Sequence, residues 1–98
     1  MNDSGSDDTI RRLRREISEL DLAIVNAVNA RIELVASLKR YKDGHGIPFL
    51  DPDRERQLLD DLMQANRGPL SPEGLRELYS DLLALTKREV SDDGDAVD

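Results

Sequence analysis

The first third of this 98-residue chain carries an apolar ladder with a cation set into it. Ile10, Leu13, Ile17, Leu20, Ile24, Ala27, Leu34 and Leu38 follow an alternating three-four spacing. That period belongs to a helix that buries one stripe of its surface. The rung after Ala27 should be apolar, and Arg31 occupies it. A guanidinium facing a helical core is costly without a partner, so the position asks for a buried anion, either a protein carboxylate or a ligand. Lys42 lies one residue beyond the rung held by Tyr41.

The ladder predicts a helix from about Asp8 to Asp43, broken by Asp43-Gly44-His45-Gly46-Ile47-Pro48. At 1.5 Å per residue such a helix is roughly 50 Å long. A compact monomer of this length has a radius of gyration of only about 13 Å. Two shorter helices cannot cover the rod, so a homodimer with paired long helices is expected.

Asp51-Pro52-Asp53 opens a second helix, with Asp51 as N-cap and Pro52 as the first helical residue. It ends at Asn66-Arg67-Gly68-Pro69 and has an apolar face of Leu58, Leu59, Leu62 and Met63. Extending that face back by one turn reaches Glu55, and by two turns Asp51. Ser71-Pro72-Glu73 opens a third helix by the same device. Its predicted seam is Leu75, Leu78, Leu82 and Leu85, with Tyr79, Thr86 and Val90 beside it and Glu89 next along. No strand pattern or internal repeat appears, so the expected fold is all-α.

Composition narrows the function. There is no cysteine, so disulfides and thiolate metal sites drop out and a reducing cytoplasm is the expected location. The acidic start Met-Asn-Asp-Ser-Gly-Ser-Asp-Asp does not resemble a signal or transit peptide. No run approaches the roughly 20 apolar residues of a membrane span. The net charge is -7, yet seven of the 21 acidic residues lie in residues 1–9 and 91–98, where there is no Lys or Arg. The remaining 14 acidic residues balance the 14 basic ones. Residues 1–8 and 91–98 are therefore expected to be disordered acidic tails on a neutral domain of residues 9–90. A neutral body with few aromatics argues against nucleic acid as partner.

Each polar residue on a seam has two readings. Arg31 could make an interface salt bridge, to Glu55 or Glu33 of a neighbour, or bind a ligand. Arg14, beside Arg11, Arg12 and Arg15, could belong to a solvated basic face. Lys42 could complement the C-terminal end of the helix dipole, and Asp51 could be only a cap. Arg54 and Glu55 could be first-turn charges, although Glu55 shares the apolar face. Thr86 could bond the carbonyl one turn back, and Glu89 could be the solvated end of its helix. His45 is the only histidine and there is no cysteine, so a metal site is not expected and no Ser/His/Asp set can be assembled. Taken together, the seams bring Arg, Lys, Asp, Glu and Thr to one core. That set suits a small polycarboxylate and needs no nucleophile.

These residues resemble the all-helical (AroQ-type, type II) chorismate mutases. The resemblance is carried by Leu13-Arg14-Arg15-Glu16-Ile17 with Leu20-Asp21, by Ala30-Arg31-Ile32-Glu33-Leu34, by Lys42, and by Asp51-Pro52-Asp53-Arg54-Glu55-Arg56. Asn66-Arg67-Gly68-Pro69-Leu70 also fits, and the match covers about residues 9–90. The resemblance implies an intertwined homodimer with two sites, each completed by the partner chain. It implies that Arg14 reaches across from the second subunit to one substrate carboxylate and that Arg31 holds the other. Lys42 would contact a carboxylate and the ether oxygen. Asp51 and Glu55 would receive the substrate hydroxyl, with Arg54 lining the pocket and Thr86 standing where the family usually has a Ser. Four residues after that Ser the family commonly has Gln, sometimes Glu. That residue donates a hydrogen bond to the ether oxygen. This chain has Val90 there with Glu89 just before it, so either Glu89 takes the catalytic role through a small helix rotation or Lys42 works without that partner.

The implied reaction is the rearrangement of chorismate to prephenate, in phenylalanine and tyrosine biosynthesis, without cofactor or metal. Two other expectations stand beside it. One is mutase or lyase action on isochorismate or aminodeoxychorismate; the other is a helical regulatory module for a larger shikimate-pathway enzyme.

Overall fold

The computed structural model describes the backbone of residues 3–96 and the side chains of residues 7–91. It contains three helices: α1 (Asp3–Gly44), α2 (Pro52–Ala65) and α3 (Pro72–Ala96). No strand occurs among the described residues, and the all-α expectation holds. No helix there is long and apolar enough to cross a membrane. Both outer helices run further than their sequence signals predict. Near the start of α1 the Asp8 carboxylate accepts from the Arg11 guanidinium one turn on. The expected tails fall mostly on side chains outside the described residues.

The chain divides into two compact units, residues 1–33 and 34–98. In the first, the predicted ladder forms on α1, but its side chains stand exposed: Ile10, Leu13, Ile17, Leu20 and Ile24 are each 45–64% accessible. A single helix has no surface of its own on which to fold its stripe.

In the second unit, α1 stops where Gly46 takes a φ of 67°. There the Lys42 carbonyl accepts from the N–H groups of His45 and Ile47 at 3.1 and 2.9 Å. Such left-handed glycine geometry lets the chain turn while the last carbonyls keep partners. The Asp51 carboxylate then caps α2, accepting from the Arg54 N–H at 3.1 Å. Ser71 caps α3 in the same way, its Oγ accepting from the Gly74 N–H at 3.0 Å. A Cβ on Gly74 would lie 3.0 Å from Leu70 Cδ1 and 3.1 Å from Ser71 Oγ, so a larger residue there would require these side chains to shift by a few tenths of an ångström.

α2 and α3 pack as an antiparallel hairpin: Glu55 in the first turn of α2 meets Lys87 late on α3. The most buried residues of the unit are Ala36, Leu75, Thr86 and Val90. The seam of α3 therefore differs in phase from the expected one. Thr86 and Val90, each 2% accessible, lie on it, whereas Leu78 is 51% accessible. Four leucines at helical spacing mark an apolar face, but the packing partner chooses which edge of that face goes inward.

Candidate functional site

In the first unit, Arg14 and Arg31 both project from α1. Arg14 is exposed and Arg31 half-buried. They are 17 positions apart in the sequence, about 25 Å along a helix axis. Around Arg14 the basic cluster is largely balanced within the helix. Arg11 pairs with Asp8, and Arg12 donates to Glu16 at 2.8 Å. The solvated-face reading thus describes Arg11 and Arg12 well.

In the second unit, Lys42 is half-buried at the end of α1, and its Nζ donates to the Phe49 carbonyl at 3.4 Å. That long bond links the helix end to the loop and leaves donors on the ammonium for another acceptor. Phe49 also lies under Lys39, whose Nζ is 5.9 Å from the ring centroid and 2.9 Å from Asp43. His45 stacks on Tyr41 at 4.1 Å between centroids, and its Nδ1 lies 2.8 Å from the Tyr41 carbonyl oxygen. The loop histidine is therefore a clasp on the helix end.

Asp51 does the capping predicted for it, with one carboxylate oxygen facing the Arg54 N–H and the side chain otherwise exposed. Arg54 is exposed. Glu55 is half-buried and does not stand alone: Lys87 Nζ lies 2.8 Å from Oε2 and 3.1 Å from Oε1. Sequence reasoning missed this pair. Lys87 follows Thr86 as an ordinary charged residue, and only the hairpin brings it to Glu55, 32 residues away. Glu55 is also one wall of a groove of about 310 Å³, shared with Arg56, Leu59, Arg76, Tyr79 and Leu83.

On α3, the Thr86 hydroxyl donates to the Leu82 carbonyl at 2.7 Å, as expected for a threonine on a buried helix face. Val90 lies on Thr86's face and is buried, while Glu89 is exposed with its carboxylate 3.9 Å from Arg88 Nε. The phase of α3 thus aligns Val90, rather than Glu89, with Thr86.

The chain is matched by known proteins. The family model described as chorismate mutase type II matches residues 13–90, and the chain belongs to that family. A solved chorismate mutase from Thermus thermophilus superposes with a TM-score of 0.77 at 30% identity, covering 79% of this chain and 96% of that one. A 4-amino-4-deoxychorismate mutase from Streptomyces venezuelae is 40% identical over 45 residues, 46% of this chain and 44% of that protein. A bifunctional chorismate mutase/prephenate dehydratase from Pseudomonas aeruginosa is 28% identical over 82 residues, 79% of this chain and 22% of that protein. The chain thus spans less than half the length of these two curated relatives.

Proposed function

We propose that the chain catalyses the rearrangement of chorismate to prephenate as a homodimer. The family match over residues 13–90 carries this reading. The reaction is unimolecular: the ether C–O bond breaks as a new C–C bond forms, and no proton, electron or group leaves the molecule. Catalysis therefore reduces to holding the flexible dianion in its compact conformer and meeting the charge that develops on the ether oxygen.

In this reading Arg31 binds one carboxylate and Arg14 of the second subunit binds the other, each with a guanidinium fork. The axial spacing supports the division of labour. A small dicarboxylate cannot bridge two arginines about 25 Å apart on one helix, so if both bind it, as this reading has it, one of them comes from another chain. The exposed stripe supports it too, since burying each Ile or Leu contributes about 1.5–3 kcal/mol. Lys42 contacts a carboxylate and the ether oxygen, and its attraction grows as that oxygen becomes negative. Asp51 and Glu55 accept from the substrate hydroxyl, Arg54 lines the pocket, and Thr86 helps to hold a carboxylate once its hydroxyl turns away from the Leu82 carbonyl. Glu89, as an additional donor to the ether oxygen, rests only on its place beside Val90. A homodimer in the cytoplasm, with acidic tails outside residues 9–90, completes the reading.

A second reading follows from the Streptomyces venezuelae relative: the substrate would be 4-amino-4-deoxychorismate, with an amino group in place of the hydroxyl. The bifunctional Pseudomonas aeruginosa relative supports a third arrangement, in which the domain works beside a larger enzyme of the same pathway. Incubating the purified protein with chorismate and with its amino analogue, and identifying products by mass spectrometry, separates these readings. The expected result is prephenate from chorismate with no added protein. Turnover of the amino analogue alone would replace chorismate as substrate, and turnover only with an added pathway enzyme would favour the regulatory module.

A further inference from the structure

We infer that Lys87 sets the substrate preference of the site by neutralising Glu55, so that the subsite accepts a hydroxyl and disfavours an ammonium. The inference rests on Glu55 receiving the substituent at the substrate's hydroxyl position. Lys87 Nζ contacts both oxygens of that carboxylate, at 2.8 and 3.1 Å. The two side chains are only 39% and 32% accessible, so solvent screens the pair incompletely.

A carboxylate has about four lone-pair directions, and one ammonium leaves room for a further donor. A substrate O–H can therefore still bond Glu55. An ammonium in the same place gains the same geometry but meets the Lys87 charge, which offsets the attraction of Glu55. Among the residues lining the groove beside Glu55, the other charged side chains are Arg56 and Arg76. Arg56 is answered by Asp53. The local field at Glu55 is thus not that of a lone anion. A protein that takes a cationic amino substrate gains from an uncompensated carboxylate at this position; this chain compensates it.

Lys87 acts through Glu55, so the informative quantity is a ratio. The experiment compares kcat/KM for 4-amino-4-deoxychorismate with kcat/KM for chorismate in the parent protein, Lys87→Met and Lys87→Arg. The parent should prefer chorismate. In Lys87→Met the amino-to-hydroxy ratio should rise about tenfold, the size expected when one nearby like charge is removed from a half-exposed site. Lys87→Arg, which keeps the charge, should retain the parent's ratio. A merely structural lysine would lower both substrates together and leave the ratio unchanged. That result, or a parent that already prefers the amino substrate, overturns the inference. If circular dichroism shows Lys87→Met to be unfolded, Lys87→Gln is read by the same ratio. A parent that turns over neither substrate removes the proposed function, and this inference falls with it.

Discussion

The first unit and the α2–α3 hairpin are built from the same three-four apolar spacing, with opposite outcomes. On α1 before residue 34 the stripe is exposed, and the ion pairs named there, Arg11–Asp8 and Arg12–Glu16, are local to the helix. In the hairpin the apolar faces turn toward each other, each helix start is capped, and Glu55 and Lys87 close a long-range pair. The lesson is that periodicity announces a stripe without naming what covers it. Within the hairpin the loop Asn66–Ser71 brings the covering surface along the chain. For α1 the covering surface is, in our proposal, a second copy.

The strongest way to break this comparison is to separate the subunits' contributions. Lys42→Ala should lower kcat by about 10²–10³, the usual cost of one preorganised donor, with the helical spectrum unchanged. Arg14→Ala should be strongly impaired as well. Mixing these two variants then tests whether Arg14 works in trans. Random exchange makes half of the dimers mixed, and each mixed dimer has one intact site, so activity should recover to about a quarter of the parent's. No recovery after exchange, followed by steady-state assay, would place Arg14 and Lys42 in the same chain's site.

A smaller effect sharpens the hairpin side. Asp51→Ala and Ser71→Ala each remove a cap worth about 1 kcal/mol, so both should lower the denaturation midpoint to a similar extent. Only Asp51→Ala should also raise KM for chorismate, because Ser71 has no part in the proposed site. Equal KM values in the two variants would leave Asp51 as a cap alone.

The smallest expected effect is at Glu89. A carboxylic acid donates a hydrogen bond only while protonated, so a Glu89 donor requires activity that declines as pH is raised. Since α3 aligns Val90 with Thr86 and leaves Glu89 near Arg88, Glu89→Gln should change kcat by less than about threefold and leave the pH profile as it was. A profile flattened by the substitution would identify Glu89 as a donor to the ether oxygen.

Much of the fold was legible because its signals are local. Asp51-Pro52 and Ser71-Pro72 start helices through side-chain oxygens that reach the N–H three residues on. Gly46 ends α1 because its backbone is left-handed there. Arg31, a cation on an apolar rung, was visible for the same reason: a single helix turn sets its neighbours. The role of Leu78 was not legible, since an apolar face is broader than the part that a neighbour covers. Nor was the alignment of Val90 with Thr86, which depends on the rotation of α3 against its packing partner.

By itself, then, the sequence determined the number of helices, the caps that start α2 and α3, the stops of α1 and α2, and the family to which the chain belongs. Each depends on interactions spanning a few residues, or on the order of motifs along the chain. The tertiary structure alone decided that Lys87 sits on Glu55 and that Thr86 and Val90 face inward. Those outcomes turn on the register of one helix against another, which contacts between distant residues select and no local pattern encodes.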